Sequence, residues 1–428
     1  MINVTRVKGD FGSLIQEKLN RQAGSLEAVD RTVKEIMEEV KKNGDQALLD
    51  YTEKFDHVRL TNLKVTKEEI EAALDNADPE FLSVLQTAKE NITAYHEKQL
   101  EKSWYSTDGN GIVLGQQITP LKRVGTYVPG GKAAYPSSVL MNVIPAVVAG
   151  VSEIVMTAPP RPDGQIDANT LTAAAVAGVT EIYKVGGAQA IAALTYGTET
   201  IPPVDKIVGP GNIYVARAKK FAFGQVDIDM IAGPSEICVI ADESANPSFV
   251  AADLLSQAEH DEMAASVLIT DSKKLADKVQ KELEKQLNQL ERESISRTAL
   301  QDYGHIFIVE NLEDGYELAN ELAPEHLELM VPNAFEQLAK VRNAGAIFLG
   351  PFSPEPLGDY FAGPNHTLPT SGTAKFSSPL GTYDFIKRSS VIYYNEKELE
   401  KVKDQIITFA EEEGLTAHAN SVRIRFEK

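Results

Sequence analysis

The sequence predicts an α/β protein with parallel sheets and more than one domain, and three observations support this fold class. Strand-like and helix-like patterns alternate from about residue 112 onward, as they do in chains that cross over between parallel strands. The heptapeptide V-A-G-V-S-E-I at residues 148–154 recurs as V-A-G-V-T-E-I at residues 176–182. The chain has 428 residues, which is more than one ordinary domain contains.

Composition and charge narrow the classes of function. A hydrophobic content of 43% and a charged content of 24% are typical of soluble globular proteins. The formal net charge of −20 argues against nucleic-acid and anionic-membrane partners, because both require basic patches. We therefore expect small molecules and further copies of this chain as partners.

Targeting and cysteine signals are weak. The first residues lack the apolar core that a signal peptide needs, so we expect a cytoplasmic protein. The longest apolar run, residues 139–151, is interrupted by Asn142 and Pro145 and is shorter than the ~20 residues of a membrane span. The single cysteine, Cys238, excludes an internal disulfide and a thiolate-only metal site. Its apolar neighbours predict a buried strand residue.

The first hundred residues are predicted to be helical and to serve as scaffold. Their signals are an amphipathic pattern over residues 25–42 that stops near Gly44, a capping box of Thr66 and Glu69, and Asp78–Pro79 at the start of a helix toward residue 102. Strand-like alternation then covers residues 112–127 and ends in the turn V-P-G-G.

The repeated heptapeptide predicts two helix-to-strand units. In each copy an apolar helix turns at a glycine and enters a strand, at residues 153–158 and 181–185. Two such units indicate a parallel sheet covered on both faces. Its ligand crevice is expected beyond the carboxyl ends of the strands.

Two of these strand ends carry glycine-rich turns, at residues 185–189 and 208–212, followed by helices at 190–194 and 213–220. Backbone N–H groups at such helix starts favour phosphate. Neither turn matches G-x-G-x-x-G, so ordinary βα turns without a ligand are an equal alternative.

A second α/β layer is predicted from Ser235 onward, with strands at 265–270, 305–310 and 346–349. Its helix over 247–260 places Gln257 and His260 three residues apart on one face, where both can hold one ligand. The alternative is a structural histidine at a helix end, because a pair with only one strong metal ligand is weak evidence for a metal site.

Three further segments carry polar groups that suit chemistry. Pro324 is expected to hold the preceding residue extended, before Glu325 and His326, a carboxylate beside an imidazole that suits acid/base work. The alternative is a surface pair at a strand start. Asp359 and His366 share a glycine-rich loop, and Glu413 and His418 lie in a terminal helical segment.

Eight segments together resemble the histidinol dehydrogenase family, in the family's order and from about residue 127 to residue 425. They are V-G-T-Y-V-P-G-G, V-G-G-A-Q-A-I, V-G-P-G-N-I-Y-V-A-R-A-K, I-A-G-P-S-E-I, L-S-Q-A-E-H-D, L-A-P-E-H-L-E, G-D-Y-x-A-G-P-N-H-T-L-P-T and G-L-x-A-H-A-x-S-V-x-x-R. The resemblance implies oxidation of L-histidinol through the aldehyde to L-histidine, the final steps of histidine biosynthesis, with two NAD+ and one Zn2+ per site.

The resemblance also implies roles for individual residues. The implied zinc ligands are Gln257, His260, Asp359 and His418, a set of nitrogen and oxygen donors that suits a zinc ion holding a substrate. His326 would take the proton of the substrate hydroxyl, and Glu325 would activate the water that adds to the aldehyde. The implied substrate contacts are Ser235, Glu413, His326 and the four zinc ligands, and the implied NAD contacts are Tyr127, Gln189 and Asn212.

The implied architecture consists of two incomplete Rossmann-like domains, helical N- and C-terminal segments and an intertwined homodimer, in which His418 ligates the partner's zinc. The expected divisions are a segment 1–24, a metal-binding α/β domain of 25–128 and 236–378, an NAD-contacting α/β domain of 129–235, and an exchanged segment 379–428. Two other functions stay open: a zinc hydrolase or lyase that needs no NAD, and a non-catalytic small-molecule binding module.

Overall fold

The computed structural model describes residues 2–9, 11–18, 26–130 and 135–427. Ser25, the predicted start of the first helix, and Gly131 of the V-P-G-G turn lie outside the described residues, as do residues 1, 10 and 19–24 of the predicted N-terminal segment. The chain divides into two compact units, one formed by 1–99 and 121–385 and the other by 100–120 and 386–428.

Strands and helices are numbered along the chain. The strands are β1 (Asn3–Arg6), β2 (Trp104–Thr107), β3 (Ile112–Pro120), β4 (Arg123–Tyr127), β5 (Glu153–Ala158), β6 (Glu181–Lys184), β7 (Lys206–Val208), β8 (Asp227–Ile228), β9 (Glu236–Ala241), β10 (Ala265–Thr270), β11 (His305–Ile308), β12 (His326–Met330), β13 (Ala346–Leu349) and β14 (Ile386–Tyr394). The helices are α1 (Phe11–Lys18), α2 (Glu27–Asp56), α3 (Lys67–Asp75), α4 (Pro79–His96), α5 (Pro136–Ala149), α6 (Ala168–Ala177), α7 (Gly187–Tyr196), α8 (Ile213–Ala222), α9 (Pro247–Ala258), α10 (Lys273–Leu287), α11 (Glu293–Asp302), α12 (Leu312–Leu322), α13 (Ala334–Gln337), α14 (Glu355–Tyr360), α15 (Glu396–Glu412) and α16 (Thr416–Arg423).

The first unit contains a parallel sheet in the order β1-β11-β10-β9-β12-β13. Alternate residues of β9 face opposite sides, so Ile237 and Val239 join a core with α9, α10 and α11, while Cys238 and Ile240 join a core with α12. Both faces are covered, which explains the unbroken apolar run of β9. The prediction that Cys238 is a buried strand residue is confirmed, and burial raises the pKa of its thiol.

A second parallel sheet in the same unit has the order β6-β5-β4-β7-β8. It contains the two repeated helix-to-strand units, which are confirmed. α5 and α6 end at Gly150 and Gly178, and both glycines adopt the left-handed conformation that commonly terminates a helix. The fold is therefore α/β with two parallel sheets, as the alternating pattern predicts.

The second unit is an antiparallel sheet of β14, β3 and β2 together with α15 and α16. The sequence pattern predicts strand structure over 112–127 and helices at the C-terminus, without β14. The predicted strand is in fact divided at Pro120, so β3 and β4 belong to different sheets. β14 pairs with β3 over its whole length, a non-local contact that a local pattern does not reveal.

Three local expectations are confirmed or corrected in the helical segments. The capping box of Thr66 and Glu69 is present. The predicted stop near Gly44 is confirmed as a break inside α2: Gly44, with φ of 52° and ψ of −132°, leaves the helical conformation, and a second helical stretch with buried Leu48 and Thr52 follows it to Asp56. Ala323 is not extended before Pro324, since it adopts the left-handed conformation and terminates α12.

Candidate active site

Glu325 and His326 lie at the amino edge of the six-stranded sheet. His326 is the first residue of β12, and it pairs in register with Ile237 of β9 and Ala346 of β13. Both members of the pair are buried, with Glu325 7% and His326 3% exposed. The alternative of a surface pair at a strand start is therefore wrong.

The backbone of one residue, Glu236, holds the pair in place. The N–H of Glu236 donates to Glu325 Oε2 at 2.8 Å, and His326 Nδ1 donates to the carbonyl oxygen of Glu236 at 2.9 Å. His326 Nδ1 also lies 3.8 Å from Glu325 Oε2. Because Nδ1 is occupied by a carbonyl, Nε2 is the nitrogen available to exchange a proton.

The electrostatics of the pair follow from burial and mutual attraction. Burial raises the pKa of Glu325, against the lowering effect of the His326 charge. Burial also disfavours the His326 cation, but the carboxyls of Glu325 and Asp359 outweigh this effect and raise its pKa. Proton-exchanging groups with such perturbed pKa values are frequent in active sites.

Asp359 reaches His326 from a helix rather than from the predicted loop. Pro354 precedes α14 and Pro356 lies in its first turn, where proline favours a helix start. Gly358 allows α14 to approach β13, because a Cβ there would lie 2.7 Å from Phe348 Cε1. Asp359 Oδ1 consequently lies 3.3 Å from His326 Nε2.

The Asp359 carboxylate is favoured by its neighbours. Burial opposes its charge, but the hydrogen bond and charge of His326, together with the charges of His366 and His260, keep the pKa of Asp359 below its usual value. His366 Nδ1 donates to the Asp359 carbonyl at 3.0 Å, so this histidine belongs to the same cluster.

Glu355 is a member of the site that the sequence analysis missed. A ligand atom of Glu355 and those of His326 and Asp359 all lie within 4.8 Å of one another, close enough to hold a metal ion. Glu355 is 2% exposed, and Oε2 accepts from Ser256 Oγ at 2.6 Å. The i, i+4 spacing of Glu355 and Asp359 could have indicated that their side chains lie together, but only if the segment had been predicted as a helix instead of a loop.

Glu328 fixes the start of α14. Its Oε1 accepts the backbone N–H of Glu355 at 2.9 Å. Glu328 and His326 are two residues apart on β12 and so share one face of the strand. The helix therefore lies over this face with Asp359 against His326.

Gln257 lies on α9, which packs beside α14, and His260 follows this helix. Gln257 is the penultimate helical residue and is 1% exposed, and its Oε1 has no hydrogen-bond partner among the described residues. His260 is not on the helix as predicted but in the turn that follows, where its N–H donates to Gln257 O. His260 is exposed, and its charge lowers the pKa of Asp359 and opposes the raised pKa of Glu355.

The predicted NAD contacts meet at the carboxyl edge of the five-stranded sheet. Tyr127 ends β4, and its phenol oxygen accepts the N–H of Gly187 at 3.2 Å. Gln189 is buried in α7, whereas Asn212 is exposed and caps α8 by accepting from Tyr214 N and Val215 N. Tyr127 also packs against the second turn, where a Cβ on Gly209 would lie 2.1 Å from the Tyr127 carbonyl oxygen, so it contacts both glycine-rich turns.

Three predicted residues remain: Ser235, Glu413 and His418. Ser235 immediately precedes β9, and its carbonyl accepts from Ala265 N. Glu413 follows α15, and His418 lies on α16, so both belong to the second unit. Both side chains are exposed.

Comparisons with known proteins are consistent across sequence and structure. The family model described as histidinol dehydrogenase matches residues 19–426. The histidinol dehydrogenase of Clostridium acetobutylicum is 56% identical over 100% of both chains, and that of Listeria monocytogenes serovar 1/2a is 55% identical over 98% of both. A crystal structure of histidinol dehydrogenase from Elizabethkingia anophelis has a TM-score of 0.93 and 39% identity, covering 99% of this chain and 98% of that one. Among the described residues, every helix is too short or too polar to span a bilayer.

The position of Glu355 predicts a contribution to cation binding. We expect Glu355→Gln, which keeps the shape but removes a buried carboxyl group, to weaken divalent-cation affinity by roughly 10- to 100-fold, as changes close to a metal commonly do. Competition with a chromophoric chelator measures the affinity. Glu262→Gln, which removes an exposed carboxylate from the turn after His260, is the matched control. Equal affinities of the two variants would exclude Glu355 from the site.

Proposed function

We infer from its membership of the histidinol dehydrogenase family that this chain is an oxidoreductase that oxidises histidinol in histidine biosynthesis. The observation in the site that supports this function best is the buried pair of Glu325 and His326 beside Asp359. Oxidation of an alcohol requires a base for the hydroxyl proton, and a positioned imidazole provides one. We propose the following assignment of roles.

Zinc is the proposed metal, and the donors suit it. Gln257, His260, Asp359 and His418 offer oxygen and nitrogen atoms, without thiolate, as in zinc sites that bind substrates. The buried Gln257 Oε1, which has no partner among residues 2–9, 11–18, 26–130 and 135–427, is a polar atom that a cation would satisfy. When bound, zinc would hold and orient the substrate through its amino and imidazole nitrogens.

His326 is the proposed base of the first oxidation. Its Nδ1–H is held by the Glu236 carbonyl, which orients Nε2 toward Asp359. A substrate held at Asp359 would therefore present its hydroxyl to Nε2, which in the neutral form of the ring accepts the proton as hydride leaves the carbon. The N–H of Glu236 and the buried surroundings keep the ring and its carboxylate partner from turning away.

Glu325 is the proposed base of the second oxidation. A water molecule must add to the aldehyde before a second hydride can leave, and a carboxylate near the aldehyde can remove the proton of that water. Burial raises the pKa of Glu325, which makes it a stronger base than an ordinary glutamate. Ser235 and Glu413 are the further proposed substrate contacts, with Glu413 meeting the cationic amine.

NAD is the proposed hydride acceptor, and it would occupy the carboxyl edge of the five-stranded sheet. Tyr127, Gln189 and Asn212 are the proposed contacts. Asn212 is exposed there, and Tyr127 connects the two glycine-rich turns. These turns lack the G-x-G-x-x-G pattern, so the dinucleotide would be held by a different set of backbone groups from that of a standard Rossmann fold.

We propose that two copies form the active unit. Large apolar side chains of the second unit face solvent in the single chain, including Trp104 at 53%, Ile392 at 74% and Phe409 at 69% exposed. A second copy that covers them would remove a substantial apolar area from water. Its His418 and Glu413 would then complete the partner's site.

The cytoplasmic location expected from the N-terminal sequence stays a prediction.

Product yield tests the proposed reaction. We expect two NADH for each histidinol consumed with NAD+, loss of the signal after a chelator, and recovery with added Zn2+. A zinc hydrolase or lyase would form no NADH, and a binding module would bind histidinol without turnover. Absorbance at the NADH band, followed to completion with limiting histidinol, distinguishes the three functions.

The base and metal roles are separable by substitution. His326→Ala should retain zinc and histidinol binding while turnover falls by ~100-fold or more, because the imidazole acts in the transition state. His260→Ala should instead lose zinc. Metal content by atomic emission and histidinol affinity by calorimetry provide the readouts. A zinc-free His326→Ala protein, or full zinc content in His260→Ala, would reverse the assignment.

Sharing of sites between copies predicts complementation. His418→Ala and His260→Ala proteins should each be inactive, but unfolding and refolding them together should restore about a quarter of wild-type activity, since half of the dimers would be heterodimers with one intact site of two. Each variant refolded alone is the control. Mixed protein that contains heterodimers but no activity would contradict a shared site.

A further inference from the structure

A buried ion pair binds both polar groups of one glycine in the second glycine-rich turn. Lys219 Nζ donates to the carbonyl oxygen of Gly209 at 2.8 Å, and the N–H of Gly209 donates to Asp229 Oδ2 at 2.8 Å. Lys219 Nζ also pairs with Asp229 Oδ1, and these side chains are 2% and 1% exposed. The three groups form a closed ring of interactions at the carboxyl end of β7.

The backbone of Gly209 admits no substitute here. Its φ of +111° is unfavourable for residues with a side chain, and a Cβ would lie 2.1 Å from the carbonyl oxygen of Tyr127. Gly211 is also closely packed, since a Cβ there would lie 2.5 Å from Val215 Cγ1 and 3.0 Å from Tyr127 Cε1. The turn therefore packs closely against Tyr127 and is hydrogen-bonded to the ion pair of Lys219 and Asp229.

We propose that Lys219 and Asp229 are positioning residues for dinucleotide binding, which rests on the proposed function of this turn. They fix the Gly209 peptide groups and thereby the path of the backbone to Asn212, three residues later. Neither side chain is exposed enough to meet a ligand itself. Their effect on NAD therefore passes through the turn.

The chemistry of the pair supports a positioning role over simple stabilisation. Desolvating two charges costs so much that buried ion pairs contribute little net stability compared with apolar residues. A lysine and an aspartate together can nevertheless satisfy a carbonyl and an N–H of one residue at the same time. Asp229 additionally accepts from Met230 N at 2.6 Å, so its carboxylate is held at three points.

A second buried lysine, at the other end of β7, provides a control for Lys219. Lys206, at the amino end of β7, is also buried and pairs with Asp227 at 2.9 Å and Asp384 at 3.4 Å. This second pair lies at the end of the strand opposite to the glycine-rich turn. Lys206→Met therefore removes a buried lysine of the same sheet without touching Gly209.

The experiment compares NAD and histidinol binding in zinc-loaded protein. The variants are Lys219→Met, Asp229→Asn, the two combined, Asn212→Ala and the control Lys206→Met, each measured for KM, kcat, NAD affinity by calorimetry and melting temperature. We expect Lys219→Met and Asp229→Asn to raise the KM and Kd for NAD roughly tenfold or more, as small displacements of binding groups do. The KM for histidinol should change little.

The combined variant separates positioning from stability. Because it leaves no unpaired buried charge, it should regain melting temperature lost in Lys219→Met while its KM for NAD stays high. Recovery of both quantities, or an equal rise in KM for NAD in Lys206→Met, would overturn the proposal. If Asn212→Ala weakens NAD binding and the Lys219 and Asp229 variants do not, the positioning role fails and the NAD site stands. If none of them weakens it, the NAD site itself is wrong.

Discussion

The geometry of the active site depends on the backbone of Glu236. Its N–H and carbonyl hold Glu325 and His326, one on each side, and these bonds require β9 and β12 to be neighbours in the observed register. A shift of one residue would turn His326 to the other face of the strand. The apolar residues that fix this register in the two cores thus also fix the orientation of the imidazole. Sheet pairing and acid/base chemistry are therefore coupled in this fold.

The two parallel sheets carry their candidate residues at opposite edges. α9 returns from the carboxyl end of β9 to the amino end of β10, so Gln257 and His260 emerge at the amino edge beside His326. The glycine-rich turns instead occupy the carboxyl edge of the other sheet. The general rule that α/β proteins bind ligands beyond the carboxyl ends of their strands is consistent with the proposed NAD edge. The same rule does not predict the cluster around His326, because that cluster lies at the amino edge of its sheet.

Sequence patterns predict the local structure well where the signals are local. The repeated helix-to-strand units, the Thr66 capping box and several strands follow from nearby residues. β14 escapes prediction because its partner β3 lies more than 260 residues earlier in the chain. The candidate site has the same division: Glu325 and His326 are adjacent and visible as a pair. Glu355 was missed because its role depends on α14 and on contacts with β12. Helical spacing paired Gln257 with His260, whereas the role of Asp359 followed from the family resemblance.

We propose that Asp359, Gln257 and His260 hold a zinc ion while His326 and Glu325 exchange protons with the substrate and water. Anomalous diffraction at the zinc edge, on crystals of zinc-loaded protein, locates the ion. We expect a single strong peak about 2.0–2.2 Å from ligand atoms of these three residues, with His418 of a second copy as the fourth donor. A peak bound by His326, or one remote from Asp359, would contradict this arrangement.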